Sequence, residues 1–322
     1  MLDQWQLRDF DPILSDFSTG WVAHDLVGKR IAPETRTLTL AGRYMVFDRS
    51  DWLIFPDLRA MGTVANEIQG AKWSTTPYSV REHSLQVPVF DEEREALGTS
   101  GSFPVDFSLD QSAVDLASRS IALGHEKTVA DAYRLAANYP VGNTATLATA
   151  DQWDNYANAA SDPVADVEAA LRAIYVASGR AANKMVIPWL VWSYLRNHPK
   201  IVDRFKSFNL TNEEAFKELT GFNGEIIIAE SQYNTADNID ATESIADFWG
   251  KDVWIGVVDE QPGQRTKTFG KTFVYPYNDS VTAPVDRWRE EPRKADLVRT
   301  SYRYDVVITS NVAGYLYKTV IA

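Results

Sequence analysis

The stretch from Ser108 to Pro140 constrains this chain more than any other. Ser108 with Gln111 three residues on forms a capping box, and Val114, Ala117, Ile121, Val129, Ala132 and Ala136 continue one apolar stripe until Asn138 and Pro140 end it. A helix over 108–138 would be on the order of 40 Å long, far above the globular average, and the rest of the fold has to accommodate it. Gly124 and His125 interrupt its middle. A glycine there costs about 1 kcal/mol against Ala, so a kink or a close packing contact is expected.

A second element is nearly as restrictive. Val298, Thr300, Tyr302, Tyr304, Val306 and Ile308 alternate with Arg299, Ser301, Arg303 and Asp305, which predicts a long strand with one face buried and one face wet. Between Leu38 and about Val89, "TLTLAGRYMVFD", "DWLIF" and "YSVREHSLQVPVF" surround a polar middle and predict a two-stranded excursion with a loop at its tip. Such a ribbon is marginal alone and needs another surface to lie on. Residues 1 to about 36 carry isolated apolar anchors (Trp5, Phe10, Ile13, Leu14, Phe17, Trp21) between Asp, Gly and Pro, the pattern of a draped arm.

Asp162 and Pro163 open a further helix as N-cap and first residue, with Val167, Leu171 and Ile174 inward and Gly179 as terminator. In "NKMVIPWLVWSYLRNHPKIVDRFK" a short apolar strand meets Pro188 at a first helical position, and Trp189, Trp192 and Leu195 follow at steps of three as a core-facing stripe. Pro199 ends that helix and opens the next, and His198 at the corner reads as structural. "GEIIIAES" and "DVWIGVV" read as buried strands, "QYNTADNIDATESIADFWG" as the polar loop between them, and "GYLYKTVI" as a closing strand.

Composition narrows function. With no Cys there are no disulfides and no thiolate nucleophiles or ligands, and a net charge of −12 argues against specific nucleic-acid binding. The N-terminus carries scattered charges and no apolar run, so neither a signal peptide nor a membrane span is expected there. "HEKTV" at 125–129 has the first half of a zinc-helix motif, but Val129 stands where the second His belongs. Asp91, Glu92 and Glu93, like Glu290 and Glu291, fall in charged runs that suit a solvated face, and the ten Trp are scattered, as core or interface anchors are. No phosphate-binding loop, dinucleotide fingerprint or nucleophile elbow is present, so no catalytic residue, cofactor or metal is assigned.

Taken in order, "IAPETRTL", "RAMGTVANEI", "YSVREHSLQVPVFDEER", "SDPVADVEAAL", the Trp189 stretch, "ESQYNTAD", "FWGKDVWIGVV" and "AGYLYKTVIA" resemble the major capsid proteins of tailed bacteriophages, with the Hong Kong 97-type fold, over nearly the whole chain. That resemblance implies a mixed α+β subunit. It would have an N-terminal arm at 1–36 and a unit at 37–182 holding an extended loop near 42–86, a spine helix at 108–138 and a peripheral domain. An axial domain at 183–290 and a segment 291–322, with the long peripheral strand at 297–309 and a return to the axial domain, would complete it.

The function it implies is self-assembly into hexamers and pentamers of an icosahedral head shell around double-stranded DNA, in the virion after assembly in the host bacterial cytoplasm. Tyr44, Phe47, Trp52, Phe55, Lys72 and Trp73 are the expected inter-subunit contacts, and Trp189, Trp192 and Leu195 the axial-domain core. Some relatives join subunits through a loop Lys and a peripheral Asn, for which Lys72 and Asn311 are the nearest candidates. Expected partners are further copies of the chain, a portal, a separate scaffolding protein (no fused segment is visible before the spine helix), packaged DNA touched non-specifically, and a decoration protein, with no membrane. The alternatives are an encapsulin-like compartment shell and a secreted carbohydrate-active enzyme. The latter would need Trp beside converging carboxylates.

Overall fold

The computed structural model describes residues 14–15, 18, 26–47, 54, 57–67, 73–100, 109–205, 212–236, 242–260, 267–277 and 282–322. In chain order the elements are α1 (Gly28–Ile31), β1 (Glu34–Arg36), β2 (Ala41–Phe47), β3 (Trp73–Ser79), β4 (Arg81–Phe90), α2 (Asp91–Ser100) and α3 (Leu109–Arg134). They continue with β5 (Thr144–Thr146), α4 (Pro163–Ser178), β6 (Lys184–Pro188), α5 (Trp189–Leu195), α6 (Pro199–Phe205), α7 (Asn212–Thr220) and β7 (Glu225–Ala229). The remainder holds β8 (Gln232–Asn234), β9 (Ile245–Asp247), β10 (Val253–Gly256), β11 (Gly270–Val274), β12 (Val285–Glu290), β13 (Ala295–Ile308) and β14 (Gly314–Lys318).

The strand β13 organises the first sheet. Its first half pairs with β12, its second half with β11, and its other edge with β4 over Arg81–Phe90, while β1 extends the sheet beyond β11. The expected alternation is only half right. Arg303 and Ser301, on the face read as wet, are buried. The cause is their neighbours: Tyr277 lies 3.7 Å from the Arg303 guanidinium, Glu82, its cross-strand partner on β4, accepts from it at 3.2 Å, and Ser301 Oγ meets Ser84 Oγ at 3.0 Å.

The helix α3 lies across the other face. It runs unbroken through Gly124, and a Cβ there would meet nothing, so the close contact is not what that glycine serves. It stops at Arg134, earlier than Asn138, because 136–138 tighten into a 3₁₀ turn that leaves Ala136 outside the stripe. Ser108 lies outside the described residues. Three cores follow along its length. Ala113 and Val114 pack with Leu14, Val89, Val285 and Val298; Ile121 meets Val274, Tyr302 and Tyr304; Val129, Ala130 and Tyr133 enter the largest core. Gly270 faces Tyr133 so closely that a Cβ would sit 2.6 Å from its hydroxyl. Leu14 thus packs on its own subunit, with Ser15 Oγ accepting the Val285 N–H at 3.0 Å.

The second sheet has the order β5-β14-β10-β6-β7, so the closing strand β14 sits inside it. Helix α4 covers this sheet, opened by the Asp162 carboxylate accepting from the Ala165 N–H at 3.2 Å and closed by Gly179 at φ 70°, where a left-handed residue is required. Residues 270–274 and 285–290 pair with the long strand, so the expected span 183–290 mixes strands of two sheets. The segment read as a polar loop contains the pair β8/β9. Pro188 closes β6 and serves as the N-cap residue rather than the first residue of α5.

Trp189 is another correction: it is 52% exposed, while Val191, Trp192 and Leu195 are buried. At 100° per residue these three span one stripe, and Trp189 stands well off its centre. Trp192 meets the Phe216 ring edge-on at 6.1 Å.

Candidate functional site

Among the described residues, large apolar side chains left exposed gather in the segment joining β2 and β3. These two strands pair as a ribbon from Ala41↔Ser79 to Phe47↔Trp73, and the return then breaks at Val80, so that β4 leaves the ribbon for the first sheet. The two-stranded ladder thus ends at Ser79. Beyond the paired base, Ile54, Leu58, Met61 and Val64 are almost fully exposed, and Trp73 is 56% exposed. Trp52, Phe55 and Lys72 lie outside the described residues, and Phe47 is placed only as a β2 residue.

Tyr44, one of the candidate inter-subunit contacts, is half-buried and already has partners inside the subunit. Its ring lies 5.5 Å from Phe273 and its hydroxyl accepts a hydrogen bond from Lys271 Nζ at 2.7 Å. Tyr78 stacks on the same Phe273 at 4.8 Å. Asn311 is exposed and lines a cleft of about 340 Å³ with Val46, Ser74, Thr76, Asn138 and Thr309, a lining that carries amides and hydroxyls but no ionisable group among the described residues.

"HEKTV" turns out to be a structural tie that sequence reasoning missed. Ile121, His125 and Val129 are spaced four apart on the inward stripe, and that spacing was the available signal. Glu126 accepts the N–H groups of Gly28, at the start of α1, and of Trp249, at 3.0 Å for the Trp, and so pins the N-terminal segment to the spine. His125 Nε2 lies 3.1 Å from Thr272 Oγ1. Among the described residues no group of three or more His, Asp or Glu could hold a metal.

Burial, and then the Lys29 cation, holds the His125 imidazole down to about 4 from an ordinary 6.5. The unfolded chain therefore takes up this proton first. The stability tied to His125 is whole above pH 6.5, drains as pH falls through the window from 6.5 to about 4, and is gone below it. Between pH 7 and 4.5 we expect the wild type to lose about 2.5 kcal/mol more than His125→Gln in urea titrations, and equal losses would exclude this residue as the cause.

His198 is buried, with Nε2 3.3 Å from Ser161 Oγ and Nδ1 accepting the Lys200 N–H at 3.3 Å. Desolvation, then Lys200, lowers its pKa. The acidic runs are partly engaged. Arg289 grips Asp91 through both nitrogens, Asp296 receives Arg287 at 2.8 Å and Arg94 at 3.1 Å, and Asp110 receives Arg94 at 2.6 Å. This lattice joins α2, the start of α3, β12 and β13.

A long helix laid on a sheet built around one long strand, a second sheet completed by the C-terminal strand, and a projecting apolar ribbon make up the Hong Kong 97-type fold of phage capsid subunits. The capsid of cyanophage P-SCSP1u shares it with a TM-score of 0.58 at 10% identity, over 93% of this chain and 90% of that one. In sequence the chain is similar to the major capsid protein of Burkholderia phage BcepMu, 25% identical over 315 residues that cover 97% of this chain and 96% of the relative. A phage-related protein of Bordetella bronchiseptica RB50 matches in structure with a TM-score of 0.75 at 25% identity, over 98% of each chain. No protein-family model matches. The chain thus has the fold of phage capsid subunits and is similar over nearly its full length to a phage major capsid protein.

Proposed function

We propose that the chain builds the icosahedral head shell of a tailed phage by assembling into hexamers and pentamers around double-stranded DNA. The observation that carries this is the ribbon. Ile54, Leu58, Met61 and Val64 are almost fully exposed and belong to none of the three cores formed by the described residues. Exposed apolar side chains held out on a two-stranded arm are a cost to a solitary protein and an asset to one that meets copies of itself. Trp73 extends the same surface. Trp52, Phe55, Phe47 and Lys72 are further candidates for it, while Lys72 and Asn311 remain the candidate pair for a covalent link between subunits.

A portal, a separate scaffolding protein and a decoration protein are the further partners of this reading, with assembly in the host bacterial cytoplasm. The net charge of −12 favours weak, non-specific contact with packaged DNA, since a strongly basic lining would bind it through counterion release. No described helix is long and apolar enough to cross a membrane. The role is structural, and no reaction is assigned.

Electron microscopy of the purified protein over a range of ionic strengths tests the reading. Curved sheets or closed particles of uniform size are expected, and a strict monomer under every condition would overturn it. In particles recovered from infected cells we expect nuclease-protected double-stranded DNA. Protein cargo in its place would turn the reading to an encapsulin-like compartment.

A further inference from the structure

The base of the ribbon docks on a lysine that the fold buries. Lys271 and Phe273 are alternate residues of β11, so both side chains stand on the sheet face opposite α3, where β2 and β3 lie. Lys271 is fully buried, with Nζ donating to the Tyr44 hydroxyl at 2.7 Å and lying 4.6 Å from the centre of the same ring. Among the described residues no carboxylate comes within ion-pair distance of this amine.

The groups that face it are few. Tyr44 comes from β2 and Tyr78, stacked on Phe273, from β3. Asp305, on the same face of β13, is occupied by the Ser79 N–H at 2.7 Å, and Asp259, which follows β10, is paired with Arg180 at 3.3 Å. A phenol oxygen and a ring face are thin compensation for an ammonium taken out of water. Every contact covering Lys271 from the ribbon side belongs to a two-stranded element, which is the kind of unit that opens locally before the cores do.

We propose that the ribbon base is a releasable latch, in which the buried Lys271 amine makes docking of β2 and β3 on the first sheet sensitive to pH. The latch is a property of the single subunit and stands or falls independently of the shell reading. Desolvation holds the amine down to about 8 from an ordinary 10.5, against the opposing pull of Asp259. A group depressed in the docked state takes up its proton more readily once released. Docking is therefore tightest in alkaline solution, weakens as pH falls through the interval from 10.5 to about 8, and levels off below it.

Millisecond-pulse amide hydrogen exchange of the full chain at pH 7 and pH 9, corrected for intrinsic rates, reads the opening of the ribbon base directly. Over peptides 41–47 and 73–79 we expect openings about tenfold more frequent at pH 7 than at pH 9, with the long strand β13 unaffected. In Lys271→Met the pH dependence should vanish. In Tyr44→Phe the base should open more often at both pH values and keep its pH dependence. No pH effect in the wild type, the same effect in Lys271→Met, or ribbon and long strand opening together would each overturn the latch. Should Lys271→Met fail to fold, the wild-type comparison and Tyr44→Phe still decide between these outcomes.

Discussion

Replacing residues 48–72 with a short Gly/Ser linker is expected to abolish closed particles while leaving a subunit that melts cooperatively within a few degrees of the wild type. The excised segment carries Ile54, Leu58, Met61 and Val64, all nearly fully exposed in the subunit, so removing them takes nothing from its cores. Burying such a side chain stabilises by about 1.5–3 kcal/mol, and four per subunit, repeated around a shell, are a large share of what association has to draw on. The cut is placed where it is because the ribbon base belongs to the subunit. Tyr44 and Tyr78 cover Phe273, Glu82 holds Arg303, and Arg81 pairs with Tyr304. A longer excision of 44–82 would expose Phe273 and Lys271 and shorten β4, and would confuse misfolding with failed assembly. Sedimentation and electron microscopy should show small species only. Closed particles from the shortened chain would remove the ribbon as an assembly element, and loss of the cooperative melt would assign 48–72 to the subunit's own core.

Trp192→Ala should cost about 3–4 kcal/mol and Trp189→Ala less than about 1 kcal/mol, although the two residues sit one helical turn apart. Trp192 is buried against Phe216 between α5 and α7, where truncation leaves a cavity that neighbouring elements cannot close. Trp189 is half in solvent at the first turn of α5. Urea denaturation of the unassembled subunit would separate the two. Equal losses would mean that the stripe Trp189, Trp192, Leu195 is buried as a unit, as the spacing of three suggests on its own. A selective loss of particles in Trp189→Ala with unchanged stability would instead place the exposed Trp in a contact between copies.

Local chemistry made much of this architecture legible. Asp162, Pro163 and Gly179 bound α4 in both the sequence and the structure, since an N-cap carboxylate, a proline first residue and a left-handed terminator act within a few residues of themselves. The period of the apolar stripe marked the spine helix, and the alternation from Val298 to Ile308 marked the long strand, although the structure ends the helix at Arg134 and starts the strand at Ala295. The order of these elements was enough to suggest a capsid-type subunit. The candidate surface was legible as a region rather than as residues. A two-stranded excursion with apolar side chains was evident, but its base and its tip read alike in the sequence.

Which residues meet across the fold was settled only by tertiary packing. Arg303 and Ser301 lie at positions that alternation assigns to water, and Tyr277, Glu82 and Ser84, which meet them only in the folded chain, take them out of it. Tyr44 reads in the sequence as one ribbon residue among others, and only the fold brings Phe273 and Lys271 beneath it, more than two hundred residues along the chain. His125 and Glu126 read as half of a metal motif, and became the tie that holds Gly28 and Trp249 once α1 folded back on the spine. Sequence by itself determined the spine helix, the helix α4 and the long strand, because those follow from periodicity and capping within a few turns. The cover over each face, and hence whether a tyrosine or a lysine is surface or core, depends on contacts between residues far apart in the chain, and periodicity carries no record of those.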